Sequence, residues 1–193
     1  MVWYCASNWP RPFNKSFSMN DQRQIFLHGP LGRRQFREVL GGLMAGLLLH
    51  PEPIWLVSPW LSDFPVLDNC SGQWDVLEPG WGGRDVSFNE VLARAVNGGC
   101  RLRVVTRNDA YSRRFVQQLN GRLVVGHDFC YQFSEQVHTK GLLTPSCFLK
   151  GSMNYTWSGT NRNDEHVMLT SNSQIISEAL LEFEDHYRFE AYS

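Results

Sequence analysis

Residues 138–154 read HTKGLLTPSCFLKGSMN, and residues 163–165 read NDE. The first stretch predicts a hairpin: strands over residues 136–143 and 147–151, joined by the turn triplet Thr144-Pro145-Ser146. Alternate side chains of a strand share a face, so His138 and Lys140 are expected to point the same way. The same spacing puts Ser152 with Asn154 if that stretch is extended. An imidazole, an ammonium, a hydroxyl and an amide then meet at one place, with Glu165 a short way downstream. No metal-ligand set accompanies them. Such a group can bind and attack a phosphodiester without a metal, the donors neutralising oxygens while histidine supplies the nucleophile.

Outward from the hairpin, the chain alternates helices with strands. Residues 33–50 predict a helix, with Phe36, Val39, Leu40, Leu43 and Leu47 at helical spacing and Pro51 and Pro53 behind it. Residues 54–58 form an apolar run that suits a buried strand. Residues 62–84 are rich in Gly, Pro, Asp and Trp and read as a long loop, a length uncommon unless functional. Ser87 and Glu90 have capping-box spacing for a helix through Ala95, which Asn97-Gly98-Gly99 ends. Strands are expected at 101–106, 123–125 and 167–170, and helices at 111–119 and 173–189. The last has Ile176, Leu180, Phe183 and Tyr187 on one side. The order implies an α/β layered domain with a mixed central sheet flanked by helices. One domain is expected over residues 1–193, with an irregular segment over 1–32 and the motif-bearing core over 50–190.

Composition narrows the function. With 42% hydrophobic and 19% charged residues the chain is an ordinary globular one. A formal net charge of -1 argues against coating nucleic acid by bulk charge, so phosphate binding has to be local. Residues 101–122 do lean basic, with Arg103, Arg107, Arg113 and Arg114 opposed by Asp109. That stretch fits a solvated helix face or a backbone-contacting patch equally well. The five cysteines are scattered and odd in number, which speaks against a disulfide framework or a zinc knuckle. No secretory signal or membrane span is legible, and a cytoplasmic protein without stable membrane association is expected. Trp60 and Trp81 could stack on a base or cover the cleft, but core or loop packing is the expected role of each; His166 reads as structural, and Glu178, Glu182, Glu184 and Asp185 as a solvated helix face.

The order H-x-K, G-S-x-N, then an acid resembles the phospholipase D superfamily. More weakly, residues 54–63 (IWLVSPWLSD) and 92–107 (LARAVNGGCRLRVVTR) are similar to the family's first strand and loop and its helix-turn-strand. Two departures stand out. Pro145 occupies the place of the family's aspartate five residues after the lysine, and the hairpin is slightly shorter. Both bear on hairpin geometry more than on the nucleophile.

The resemblance implies a phosphodiesterase that uses two histidines, one as nucleophile and one as general acid. Of the six histidines, only His138 lies in the motif; His28, His50, His127, His166 and His186 lack a lysine two residues on. A homodimer presenting the motif twice would supply the deficit, as in the family's small bacterial nucleases. On that resemblance Lys140 and Asn154 hold the phosphate oxygens. Ser152 contacts phosphate or fixes the hairpin, and Glu165 orients a histidine. No metal and no cofactor are implied. Nucleic acid is the expected substrate, and similar small proteins encoded beside DNA-modification and phage-defence genes suggest partner proteins in a larger complex. The alternatives are a catalytically silent nucleic-acid-binding subunit and a phospholipid hydrolase.

Overall fold

A computed structural model describes residues 21–189 of the chain. Nine strands and five helices follow in order: β1 (Gln22–Phe26), α1 (Pro30–Leu49), β2 (Ile54–Val57), β3 (Pro65–Asp68), β4 (Asp85–Ser87), α2 (Phe88–Asn97), β5 (Leu102–Thr106), α3 (Ala110–Asn120), β6 (Phe129–Phe133), β7 (Gly141–Leu143), β8 (Phe148–Gly151), α4 (Trp157–Asn161), β9 (His166–Thr170) and α5 (Ser173–His186). Seven strands make one sheet in the order β1-β9-β8-β7-β2-β5-β6, and β3 with β4 form a separate pair. The strands β2, β5 and β6 run parallel; β7, β8, β9 and β1 join antiparallel. The mixed α/β architecture expected from the alternation is the one observed.

Period-2 alternation divides the sheet between two cores. Ile54, Leu56, Leu102, Val104, Leu142, Leu149 and Val167 pack with Phe36 and Leu40 of α1, Leu92 of α2 and Phe115 of α3. Trp55, Val57, Val105, Leu143 and Phe148 face the other way, against Ile176 and Phe183 of α5 and Tyr187. Burial on both faces explains why β2 is apolar without interruption. The capping box at the start of α2 forms as its spacing predicts, Ser87 accepting from the Glu90 N–H and Glu90 from the Ser87 N–H.

Several expectations fail locally. The residues up to 20 lie outside the described residues, but residues 22–32, expected irregular, contain β1 and the start of α1. The long loop of residues 62–84 is shortened by β3, whose partner β4 follows directly. The strand expected at 123–125 lies instead at Phe129–Phe133, an edge strand with every residue at least partly exposed. His138 and Lys140 precede β7 rather than sitting inside a ladder strand.

Candidate active site

The register gathers the motif at one end of the sheet. Val57, the last residue of β2, pairs with Gly141, which pairs with Lys150. Gly151, at the end of β8, pairs with Val167 near the start of β9. The segments leaving β2, β5 and β8 and those entering β7 and β9 therefore share that end, where ligands commonly bind in open α/β sheets.

His138, Thr139, Lys140, Lys150, Ser152 and His166 line an open hollow of about 630 Å³ there. His138 is exposed and Lys140 half-buried, its Nζ donating to the His138 carbonyl at 2.8 Å. Burial holds the Lys140 ammonium below its usual pKa; the Glu165 carboxylate opposes that shift and the Arg107 guanidinium adds to it.

Gly151 is required by contact. A Cβ there would lie 2.0 Å from the His166 carbonyl oxygen. The close approach lets the Ser152 N–H donate to that carbonyl at 2.9 Å and the His166 N–H donate to Ser152 Oγ at 3.0 Å. The same hydroxyl donates to Glu165 Oε2 at 2.5 Å, and Asn163 Nδ2 donates to Glu165 Oε1 at 3.3 Å. Within one chain, then, Glu165 serves Ser152 and Asn163 rather than orienting a histidine. Asn154 sits across the Ser58 hydroxyl, its Oδ1 3.4 Å from Ser58 Oγ, so the amide NH2 is the end turned from Ser58.

Four contributors were not picked out from sequence. Ser58 is fully buried just after β2; its Oγ also reaches the Trp60 carbonyl at 2.9 Å and accepts from the Tyr155 N–H at 3.3 Å. Arg107 donates from Nε to the Val137 carbonyl at 3.2 Å, one residue before His138, and lies over the Trp60 ring at 5.0 Å. Lys150 and His166 line the hollow directly. His166, read as structural, packs its ring at a tilt against Phe26, 4.8 Å between centroids, with its Nε2 shielded from solvent and unpartnered among the described residues. For Ser58 the available signal was position, at the carboxyl end of a parallel strand; Arg107 shares that position and was legible only as one member of the basic stretch. The basic stretch is not one patch: Arg103 pairs with Asp128, Arg113 bonds Asn108 and Arg114 is exposed on α3, so that of the four Arg107 is the one bonded beside His138. Trp81 is buried as expected, whereas Trp60 is not. The acids of α5 face solvent.

No helix among the described residues is long and apolar enough to cross a membrane. Asp68, Cys70 and Asp85 place donor atoms within 4.8 Å of one another, but at the end of the β3–β4 pair and not in the hollow.

Residues 65–187 match the family described as cardiolipin synthase, PLD-like domain. No curated protein matches the chain. Among solved structures, Nuc from Salmonella typhimurium, a phospholipase D family member, is similar over 85% of this chain and 91% of its own, with a TM-score of 0.55 and 12% identity. Polyphosphate kinase from Porphyromonas gingivalis gives a TM-score of 0.57 at 12% identity, over 85% of this chain and 25% of the kinase. NucT from Helicobacter pylori gives 0.49 at 12% identity, over 85% of this chain and 94% of its own. The matched residues run from β3 to the end of α5 and include every residue of the motif, and this chain belongs to the phospholipase D superfamily.

Proposed function

We propose that the protein is a metal-independent phosphodiesterase that cleaves nucleic acid through a phosphohistidine, at a site shared by two copies of the chain. One observation carries it: His138, Lys140 and Ser152, from two separate segments, converge on a single open hollow. His138 of one copy attacks phosphorus, and a P–N bond forms as the bond to the leaving oxygen breaks. His138 of the second copy gives that oxygen its proton. Water then attacks phosphorus, the second imidazole takes a proton from it, the P–N bond breaks and a phosphomonoester departs. Lys140 and the Asn154 amide bind the non-bridging oxygens. Glu165 acts through Ser152 as a positioning residue.

The second copy is invoked because the chain has a single H-x-K motif. His166 is a poor substitute, since its Nε2 is shielded and its ring is held against Phe26. Isologous pairing about a two-fold axis brings two identical motifs together. A silent nucleic-acid-binding subunit is the second reading, favoured by Pro145 in place of the family's aspartate.

The test is hydrolysis of a single-stranded oligonucleotide in EDTA by wild type and His138→Ala. Wild type is expected to remain active, and the variant to lose more than about 1000-fold, as nucleophile removals do. Specific activity should also fall on dilution as pairs separate. Full activity in a monomer rules out the shared site, and inactivity of wild type on every diester favours the silent subunit.

A further inference from the structure

The end of the sheet that holds His138 also holds two uncovered tryptophans, Trp60 at 42% and Trp157 at 53% exposure. Large indoles are usually mostly buried, and these two are presented on fixed backbone. The Trp60 loop is tied down on both sides. Ser58 Oγ lies 2.9 Å from the Trp60 carbonyl, the Leu61 N–H donates to the buried Ser112 hydroxyl at 3.2 Å, and Leu61 bridges Tyr155. Trp157 begins α4 three residues after Asn154, and its backbone N–H donates to Ser62 Oγ at 2.9 Å. Arg107 links the indole to the motif, lying 5.0 Å over Trp60 while its Nε bonds the carbonyl next to His138. One side chain thus joins an aromatic face to a cation beside the phosphate-binding groups.

We infer that Trp60 and Trp157 form a base-stacking subsite flanking the phosphate site, and that the substrate is single-stranded nucleic acid whose unpaired bases lie on them. This rests on the phosphodiesterase reading. A net charge of -1 gives the chain no bulk attraction for a polyanion, so affinity for a polymer has to come from local contacts. Stacking supplies such contacts without sequence preference, because every base has a π-face. In a duplex those faces are already covered by neighbouring bases, which excludes it from the subsite.

The experiment measures binding by fluorescence anisotropy in a His138→Ala background, which keeps the oligonucleotide intact. The probes are an oligo-dT, an abasic oligomer of equal length, and a duplex of the same length. Oligo-dT should bind tightest. Trp60→Ala and Trp157→Ala should each weaken oligo-dT binding by about 10-fold, within the range for one stacked base, and leave the abasic oligomer unchanged. Trp60→Phe should restore most of the loss. Equal affinity for oligo-dT and the abasic oligomer overturns the inference. So does an equal loss on both probes in the alanine variants. A change in sedimentation coefficient in these variants also overturns it, because the tryptophans would then lie between two copies of the chain. Failure of the wild type to cleave any diester is a separate result, which refutes the enzyme and leaves the binding comparison standing.

Discussion

The Ser152 hydroxyl donates to Glu165 while accepting from the backbone N–H of His166, so one oxygen joins the end of β8 to the start of β9. Charge-assisted bonds of this kind are stronger than neutral ones. Ser152→Ala removes both and should cost about 1–2 kcal/mol, or a fall of roughly 2–8 °C in Tm for a chain of this size. Glu165→Gln keeps a bond of weaker type and should cost less. If Glu165 positions the site through Ser152, both variants lower kcat while KM changes little. A change in KM alone would instead mark Ser152 as a ground-state phosphate contact.

Gly151 makes a second, steric link between the same strands. A methyl group there would overlap the His166 carbonyl oxygen and come within 2.9 Å of Val167 Cα. Backbone cannot yield as a flexible side chain would, so Gly151→Ala should cost about 3 kcal/mol and displace Ser152 from its partners. Chemical denaturation and hydrogen exchange of the β9 amides check this. Unchanged protection at the His166 amide, which donates to Ser152 Oγ, would show that the strands absorb the methyl group.

What could be read in advance follows the range of the interactions involved. The hairpin turn and the Ser87–Glu90 capping box are local, and both form as their residues predict. The edge strands were harder. In β1, QRQIF, only Ile25 is buried, and in β6 no residue is fully buried, so neither shows a clean alternation. Of the site, His138, Lys140, Ser152 and Asn154 were legible as a motif. Ser58, Trp60 and Arg107 join them because β2 lies between β7 and β5, a pairing that no local pattern specifies. Glu165 was legible as a member, but its partner was not, since the Ser152 bond depends on how β9 pairs with β8.

The segment before α2 is anchored by Arg84 and Glu90, which meet through two hydrogen bonds of 2.7 and 2.9 Å. The Arg84 guanidinium pulls the Glu90 carboxyl down from 4.5 to about 2; burial opposes it, and the Ser87 N–H and Arg122 add to the lowering. A depressed folded-state pKa means the stabilisation is full above about pH 4.5 and is lost as pH falls toward 2. With Arg84 half exposed, the contribution at neutral pH is on the order of 2 kcal/mol. Glu90→Gln should therefore lower the urea midpoint at pH 7 and flatten its dependence between pH 5 and pH 2.5. A variant whose midpoint still falls as steeply as wild type in that window would place the acid sensitivity elsewhere.

Lys140 gives the corresponding prediction for activity. Its ammonium is wanted in the charged form to bind phosphate oxygens, yet burial disfavours that form and Arg107 adds repulsion. Its folded pKa therefore lies below the ordinary 10.5, and the alkaline loss of activity should begin below the pH at which a solvated lysine titrates. Lys140→Arg keeps the charge at every accessible pH and should move the alkaline limb upward, while the wider guanidinium lowers the plateau by about 10-fold or more. Lys140→Met should remove the limb together with most of the activity. Arg107→Met separates the two causes: with the neighbouring cation gone, the limb moves up only partway, because burial is the larger influence on Lys140. Full recovery to the value of a solvated lysine in that variant would reverse the order of the two effects.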